Sequence, residues 1–178
     1  PSGHVGGDLV GFFTIGPTRF AVYGIDVSGH GITSAMMTAR VAAYLSGTQP
    51  EQNVALMRDA SGGTCARPPG DVAQALNRIV LTEMATDAYL TLGYAEVDQS
   101  SGAMALVQAG HPNPAILRAD GRVEFPGDGG LPVGLFDGAE YPADQAGGGD
   151  DQSGEKAVEH GRSRHHARRR HRSLRPPG

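Results

Sequence analysis

Three short clusters in this 178-residue chain hold residue types that do chemistry: Gly6-Gly7-Asp8, Asp26-Val27-Ser28-Gly29-His30-Gly31 and Ala109-Gly110-His111-Pro112. The first two set an aspartate among glycines. A carboxylate supplies the hard oxygen that Mg2+ or Mn2+ takes, such ions keep several waters, and glycine lets backbone and ion approach with no side chain between them. Two carboxylates and a backbone carbonyl therefore make a partial cage for a divalent cation. Isolated aspartates are more often turn or strand-end residues, so these two mark a site only where the fold joins them. Gly29-His30-Gly31 reads either as a phosphate-cradling loop or as support for a helix start. His111, between Gly110 and Pro112, reads as a rigid-turn residue ahead of a catalytic one.

Stepping outward from Asp8 and Asp26, residues 9–15 and 19–27 are β-branched and aromatic runs separated by Gly16-Pro17-Thr18, the pattern of a β-hairpin. Asp8 precedes one strand and Asp26 lies near the end of the other, so antiparallel pairing brings both carboxylates to one end of the sheet. Residues 34–45 change to Ala, Met and Leu at helical spacing, with Thr33 or Ser34 as cap and with Met36 and Met37 as core filling. A weaker helix is expected over 50–60, and a third from Asp71 to about Thr82, opened by a capping-box-like Asp71 and Gln74 after Pro68-Pro69-Gly70. The period then becomes two over 89–97, 103–109, 115–118 and 122–125, an antiparallel meander. Strands, helices and strands again predict an α+β domain with sheet faces covered by helices, without the βαβ alternation of a dinucleotide fold.

Composition sets the outer limits. Length gives one domain. From Gln145 onward stand eight of the 15 Lys and Arg and four of the 19 Asp and Glu, so the first 144 residues carry about −8 and the rest about +4. An acidic body disfavours a specific nucleic-acid ligand and suits a site that collects cations. The single cysteine, Cys65, has no disulfide partner and no zinc-type neighbours, which points to a reducing, cytoplasmic setting. No apolar run approaches the ~20 residues needed to cross a bilayer. Residues 142–178, Gly-rich and then Arg- and His-rich, are expected to be disordered because they have little apolar area to bury.

The ordered strings are more specific than any of these features. GGD at 6–8, DVSGHGITSAMMTA at 26–39, TLGYAEVDQSSGAMALVQAGHPNPAILRADGRV at 91–123 and GLPVGL at 130–135 resemble, in order and spacing, the successive motifs of the SpoIIE/RsbU-type domain of the metal-dependent (type 2C-like) serine/threonine protein phosphatases. The resemblance covers about residues 1–136. It implies an antiparallel β-sandwich flanked by helices, a four-layer α-β-β-α fold. It also implies a two-metal Mn2+ or Mg2+ centre held by Asp8, Asp26 and the backbone carbonyl of Val27, whose ions lower the pKa of a bridging water and neutralise phosphoryl oxygens during in-line attack. The reaction so implied is hydrolysis of phosphoserine or phosphothreonine on a regulatory protein, such as an anti-sigma-factor antagonist. An upstream sensor domain is expected, and a homodimer is among the assemblies allowed. Val10-Gly11 stands where the family often has an aromatic-Asp pair. After about residue 141 the family continues with an apolar strand ending in Ser-Asp-Gly and a later acidic motif, which complete the cage. This chain has neither, and Asp150 and Asp151 follow three glycines instead of a strand. The fold is therefore expected to be incomplete at its C-terminus, and a catalytically degenerate binding module is the alternative to an enzyme.

Overall fold

A computed structural model describes residues 7–84 and 87–146. The opening hairpin forms as the alternation predicts: β1 (Asp8–Thr14) pairs antiparallel with β2 (Arg19–Val27), closed by a turn in which the Ile15 amide donates to the Arg19 carbonyl at 2.9 Å. The chain continues through α1 (Ile32–Ala43), a short ribbon of β3 (Leu56–Arg58) and β4 (Thr64–Ala66), α2 (Pro69–Glu83), β5 (Leu90–Asp98) and β6 (Met104–Ala109). A second ribbon, β7 (Ile116–Leu117) with β8 (Val123–Glu124), and the last described strand, β9 (Ala143–Ala146), follow. Five strands make one antiparallel sheet in the order β1-β2-β5-β6-β9.

Strand alternation divides this sheet into two unlike faces. Ala21, Tyr23, Ile25 and Val27 of β2, Leu90, Leu92 and Tyr94 of β5, and Val107 and Ala109 of β6 form one core with the inner sides of both helices. From α1 that core takes Met37 and Val41, and from α2 it takes Val72, Ala73, Leu76 and Val80, the spacing of a helix with one apolar stripe. Among the described residues no helix covers the opposite face. There Val10 and Phe12 of β1 are each 79% exposed.

The Gly-Leu-Pro-Val-Gly-Leu stretch acts as a latch beneath the helices. Val133 is fully buried and exchanges two backbone hydrogen bonds with Leu90, while the buried Asn77 of α2 accepts from the Gly134 amide at 2.7 Å and donates to the Phe136 carbonyl at 3.0 Å. Its spacing serves the packing of α2 on β5.

The α+β architecture with antiparallel sheets is as expected, and it is incomplete: beside the five-stranded sheet, the remaining strands among the described residues form the two ribbons, with isolated bridges such as Leu90–Val133 in addition. Several local expectations need correction. Residues 50–60 form turns and β3, not a helix, because Asn53 turns the chain: its side chain donates to the Leu45 and Gly47 carbonyls and accepts from the Ala55 amide. The α1 cap is Gly31, and Ser34 lies inside the helix, where its hydroxyl donates back to the Gly31 carbonyl at 3.0 Å. Pro69 starts α2, so Asp71 stands in the first turn, a favourable place for a negative charge. Met37 is buried, but Met36 is 64% exposed. The boundary expected at residue 142 also shifts, since Ala143–Ala146 pair with β6; the rest of the Gly-rich and Arg/His-rich tail lies outside the described residues.

Candidate metal centre

The β1–β2 register sets Asp8 directly opposite Asp26. Facing residues of an antiparallel ladder project from the same side, with Cβ atoms about 5 Å apart, so both carboxylates rise from the face that has no helix. Thr91 of β5 stands opposite Asp26, extending the polar row across three strands. Partial loss of water at the sheet surface raises the Asp26 pKa above the usual carboxylate range; a hydrogen bond with Asp8 and the Asp8 charge push the same way, and His111 opposes them.

The backbone beside the pair is arranged for close approach. A Cβ on Gly7 would lie 2.6 Å from the Val27 carbonyl oxygen, so only glycine allows the two backbones to approach this closely. The Val27 amide donates to the Gly7 carbonyl at 3.3 Å, and the buried Thr38 hydroxyl of α1 lies 2.8 Å from the same carbonyl. Thr38 thus ties the Gly7-Asp8 segment to the first helix. Past Val27, Gly29 and Gly31 have φ of +92° and +85°, values that L side chains rarely adopt, and nothing crowds either position. Ser28 anchors this loop to the start of β5, its amide donating to the Tyr89 carbonyl at 2.8 Å and its hydroxyl accepting from the Tyr89 amide at 3.0 Å. His30 is exposed in the loop.

His111 is placed with unusual care for a turn residue. Its ring lies over Gly24 and Gly93, which face each other in the β2–β5 register; a Cβ on either would stand 3.1 Å from a ring atom. Nδ1 is 2.8 Å from the Thr91 hydroxyl, and the buried Gln108 amide holds the loop by donating to the His111 carbonyl at 2.9 Å. The ring borders a cleft of about 410 Å³ on the open face, walled by Val10, Val22, Leu106 and Ile116. Of the residues singled out from the sequence, Asp8, Asp26 and Val27 therefore come together, Gly29, His30 and Gly31 form the adjoining loop, and His111 joins through Thr91. Sequence reading passed over Thr38 and Thr91. A usable signal was the mid-strand glycine at 24 and again at 93, since glycine inside a strand marks close approach of another group.

The donor set fits a divalent ion in part. Two carboxylates and a backbone carbonyl suit a hydrated Mg2+ or Mn2+. Among the described residues, no group of three or more His, Cys, Asp or Glu side chains is arranged to hold a metal ion.

Comparison with known proteins gives a consistent picture. Residues 16–146 match the family model described as Stage II sporulation protein E (SpoIIE). The phosphoserine phosphatase RsbP of Bacillus subtilis (strain 168) is 27% identical over 143 residues, covering 79% of this chain and 32% of RsbP. The crystal structure of the RsbU and RsbW domains of Rv1364c from Mycobacterium tuberculosis superposes with a TM-score of 0.57 at 24% identity, over 80% of this chain and 36% of that one. RsbX, crystallised in complex with magnesium, gives a TM-score of 0.53 at 11% identity, over 81% of this chain and 61% of its own. The chain thus spans about a third of the length of RsbP and of the Rv1364c chain.

Proposed function

Because this chain belongs to the Stage II sporulation protein E family, we propose that it is the part of a protein phosphatase that presents two metal-binding carboxylates to a phosphoserine or phosphothreonine of a regulatory protein. The observation that carries this reading is the Asp8–Asp26 register pair, raised on the open face beside the close approach of the Gly7 and Val27 backbones. Asp8, Asp26 and the Val27 carbonyl would hold Mn2+ or Mg2+. When bound, such ions supply an acidified water and neutralise phosphoryl oxygens. The chain's own groups do the rest: Thr38 and Ser28 fix the two backbone segments that carry the carboxylates, and Gly29-His30-Gly31 offers a loop for a phosphate. RsbP is named as a phosphoserine phosphatase, and the family resemblance suggests, as the substrate, a phosphorylated regulatory protein of the anti-sigma-factor-antagonist kind.

The absence of a third acidic ligand among the described residues favours a second reading, a degenerate module that binds its regulatory partner without turnover. Two measurements separate them. Isothermal titration with Mn2+, compared between the native chain and Asp26→Ala, tests the site itself; equal uptake by both would remove the metal centre. Hydrolysis of a phosphoserine peptide by the same pair tests the reaction: Mn2+-dependent turnover lost in Asp26→Ala supports the phosphatase, and metal uptake without turnover supports the module.

A further inference from the structure

Among the described residues a single charged side chain is buried, Glu96 of β5 at 4% exposure. By strand alternation it falls in line with Leu90, Leu92 and Tyr94, so it ends the core row on the helix face. This place is remote from the two aspartates. Glu96 stands opposite Ala21, five positions along β2 from Asp26, about 17 Å at 3.3 Å per residue, and on the other face of the sheet. Its carboxylate oxygens are served unequally. Oε2 accepts from an Arg19 guanidinium nitrogen at 2.8 Å, while the buried Oε1 and the buried Tyr94 hydroxyl beside it both lack a hydrogen-bond partner among the described residues. Burial outweighs the Arg19 charge and the nearness of Tyr94, and it holds the Glu96 pKa above the usual carboxylate range.

A second carboxylate lies within reach of the same arginine. Asp98 is the register partner of Arg19 and follows Glu96 by two positions on the same side of β5. The Ser100 hydroxyl and amide both donate to its Oδ1 and, with the Arg19 charge pushing the same way, draw its pKa below the usual range, so it stays ionised where Glu96 does not. Arg19 itself has a side chain 46% exposed, and a hollow of about 200 Å³ bordered by Arg19, Glu96, Asp98, Ser101 and Gln145 leaves its guanidinium room to change partners.

We propose that Glu96 and Asp98 form a proton-operated, two-position switch for Arg19: ionised Glu96 holds the guanidinium inward, and protonated Glu96 releases it to Asp98. Protonation removes the charge that holds Arg19 and leaves a carboxyl O–H for which the unpaired Tyr94 hydroxyl is the nearby acceptor. The surroundings supply no competing charge. Across the ladder from Glu96 stand Ala21 of β2 and Ala105 of β6, with Gln145 of β9 beyond, and the side chains that act on it are Arg19 and Tyr94, with none from α1 or α2. The folded chain takes up this proton more readily than the unfolded chain does. The inward position therefore forms as pH rises through the raised value, and stability falls as it forms.

Nuclear magnetic resonance on the whole, metal-free chain tests the switch. At neutral pH the Arg19 side chain should show through-space contacts to Glu96; in mild acid these should be lost and replaced by contacts to Asp98, in step with the shift of the Glu96 carboxyl carbon. Arg19 contacts that stay the same across that range, or a Glu96 carbon that titrates at the ordinary carboxylate value, overturn the proposal. Glu96→Gln should show the acid pattern already at neutral pH, and an inward Arg19 in that variant overturns it too. The melting temperature of the native chain minus that of Glu96→Gln should fall as pH rises from mildly acidic to neutral, whereas a flat or growing difference contradicts the switch. None of these readouts involves metal or turnover, so the switch can fail while the phosphatase reading stands, and the reverse.

Discussion

The two faces of the main sheet are made by alternate residues of the same strands, yet they have opposite characters. On the helix side Ala21, Leu90, Leu92 and Val107 have no exposed surface. On the other side the same strands raise Asp8, Asp26 and Thr91, and the glycines Gly24 and Gly93 sink the surface to admit an imidazole. Stability and chemistry are thus interleaved residue by residue. The helix face supplies the buried apolar area that fixes register, and the register in turn decides which polar groups meet on the far side. A chain organised this way can lose its site with little change in stability, or lose its fold through a residue that never touches the site.

The largest expected effect is on the helix face. Leu92→Ala should cost about 2–5 kcal/mol in urea unfolding, the usual result of deleting a fully buried leucine, whereas Phe12→Ala on the open face should change stability by about 0.5 kcal/mol or less. Equal losses would erase the distinction between the faces. Next, Asp26→Ala should lower Mn2+-dependent phosphopeptide hydrolysis at least ~100-fold, the scale on which a directly acting electrostatic group is felt, with the melting temperature held or raised because a like charge is gone.

The pH dependence sharpens the same contrast. The Asp26 pKa is raised in the folded state, so the folded chain binds that proton more readily than the unfolded chain does. Its contribution is present below the ordinary carboxylate range and is lost as pH climbs through the raised value. Metal-free native protein should therefore fall behind Asp26→Asn in melting temperature between mildly acidic and neutral pH, and added Mn2+ should close the gap. A gap that narrows with rising pH in metal-free buffer would contradict the like-charge account. A smaller effect is expected from Thr38→Val, which removes the hydroxyl next to the Gly7 carbonyl: about 1 kcal/mol of stability and weaker Mn2+ uptake, both read in one titration series. The smallest is Gly24→Ala, whose added methyl must shift the His111 ring by a few tenths of an ångström. It should appear as a changed His111 imidazole resonance with the core signals unmoved.

Much of this was legible in the chain itself. The hairpin, the β5–β6 pair, the Asp8 and Asp26 pair and the family followed from period-two alternation, turn residues and motif order, because strand pairing between neighbours in sequence leaves little freedom in how two short runs can meet; the expected four-strand meander instead breaks after β6, where β9 takes the neighbouring place and β7 with β8 form a separate ribbon. Caps and short elements were less legible: Pro69 and Gly31 set the helix starts through backbone geometry, and Asn53 turned a segment whose composition suits a helix. Only the tertiary structure decided that Thr38 would reach the Gly7 carbonyl 31 positions away, that Thr91 would complete the row with Asp8 and Asp26, and that His111 would lie on two glycines from different strands. Local sequence determines the period and the hand of each element. Which distant groups then touch depends on how the elements pack, a property of the whole core that no single stretch of residues encodes.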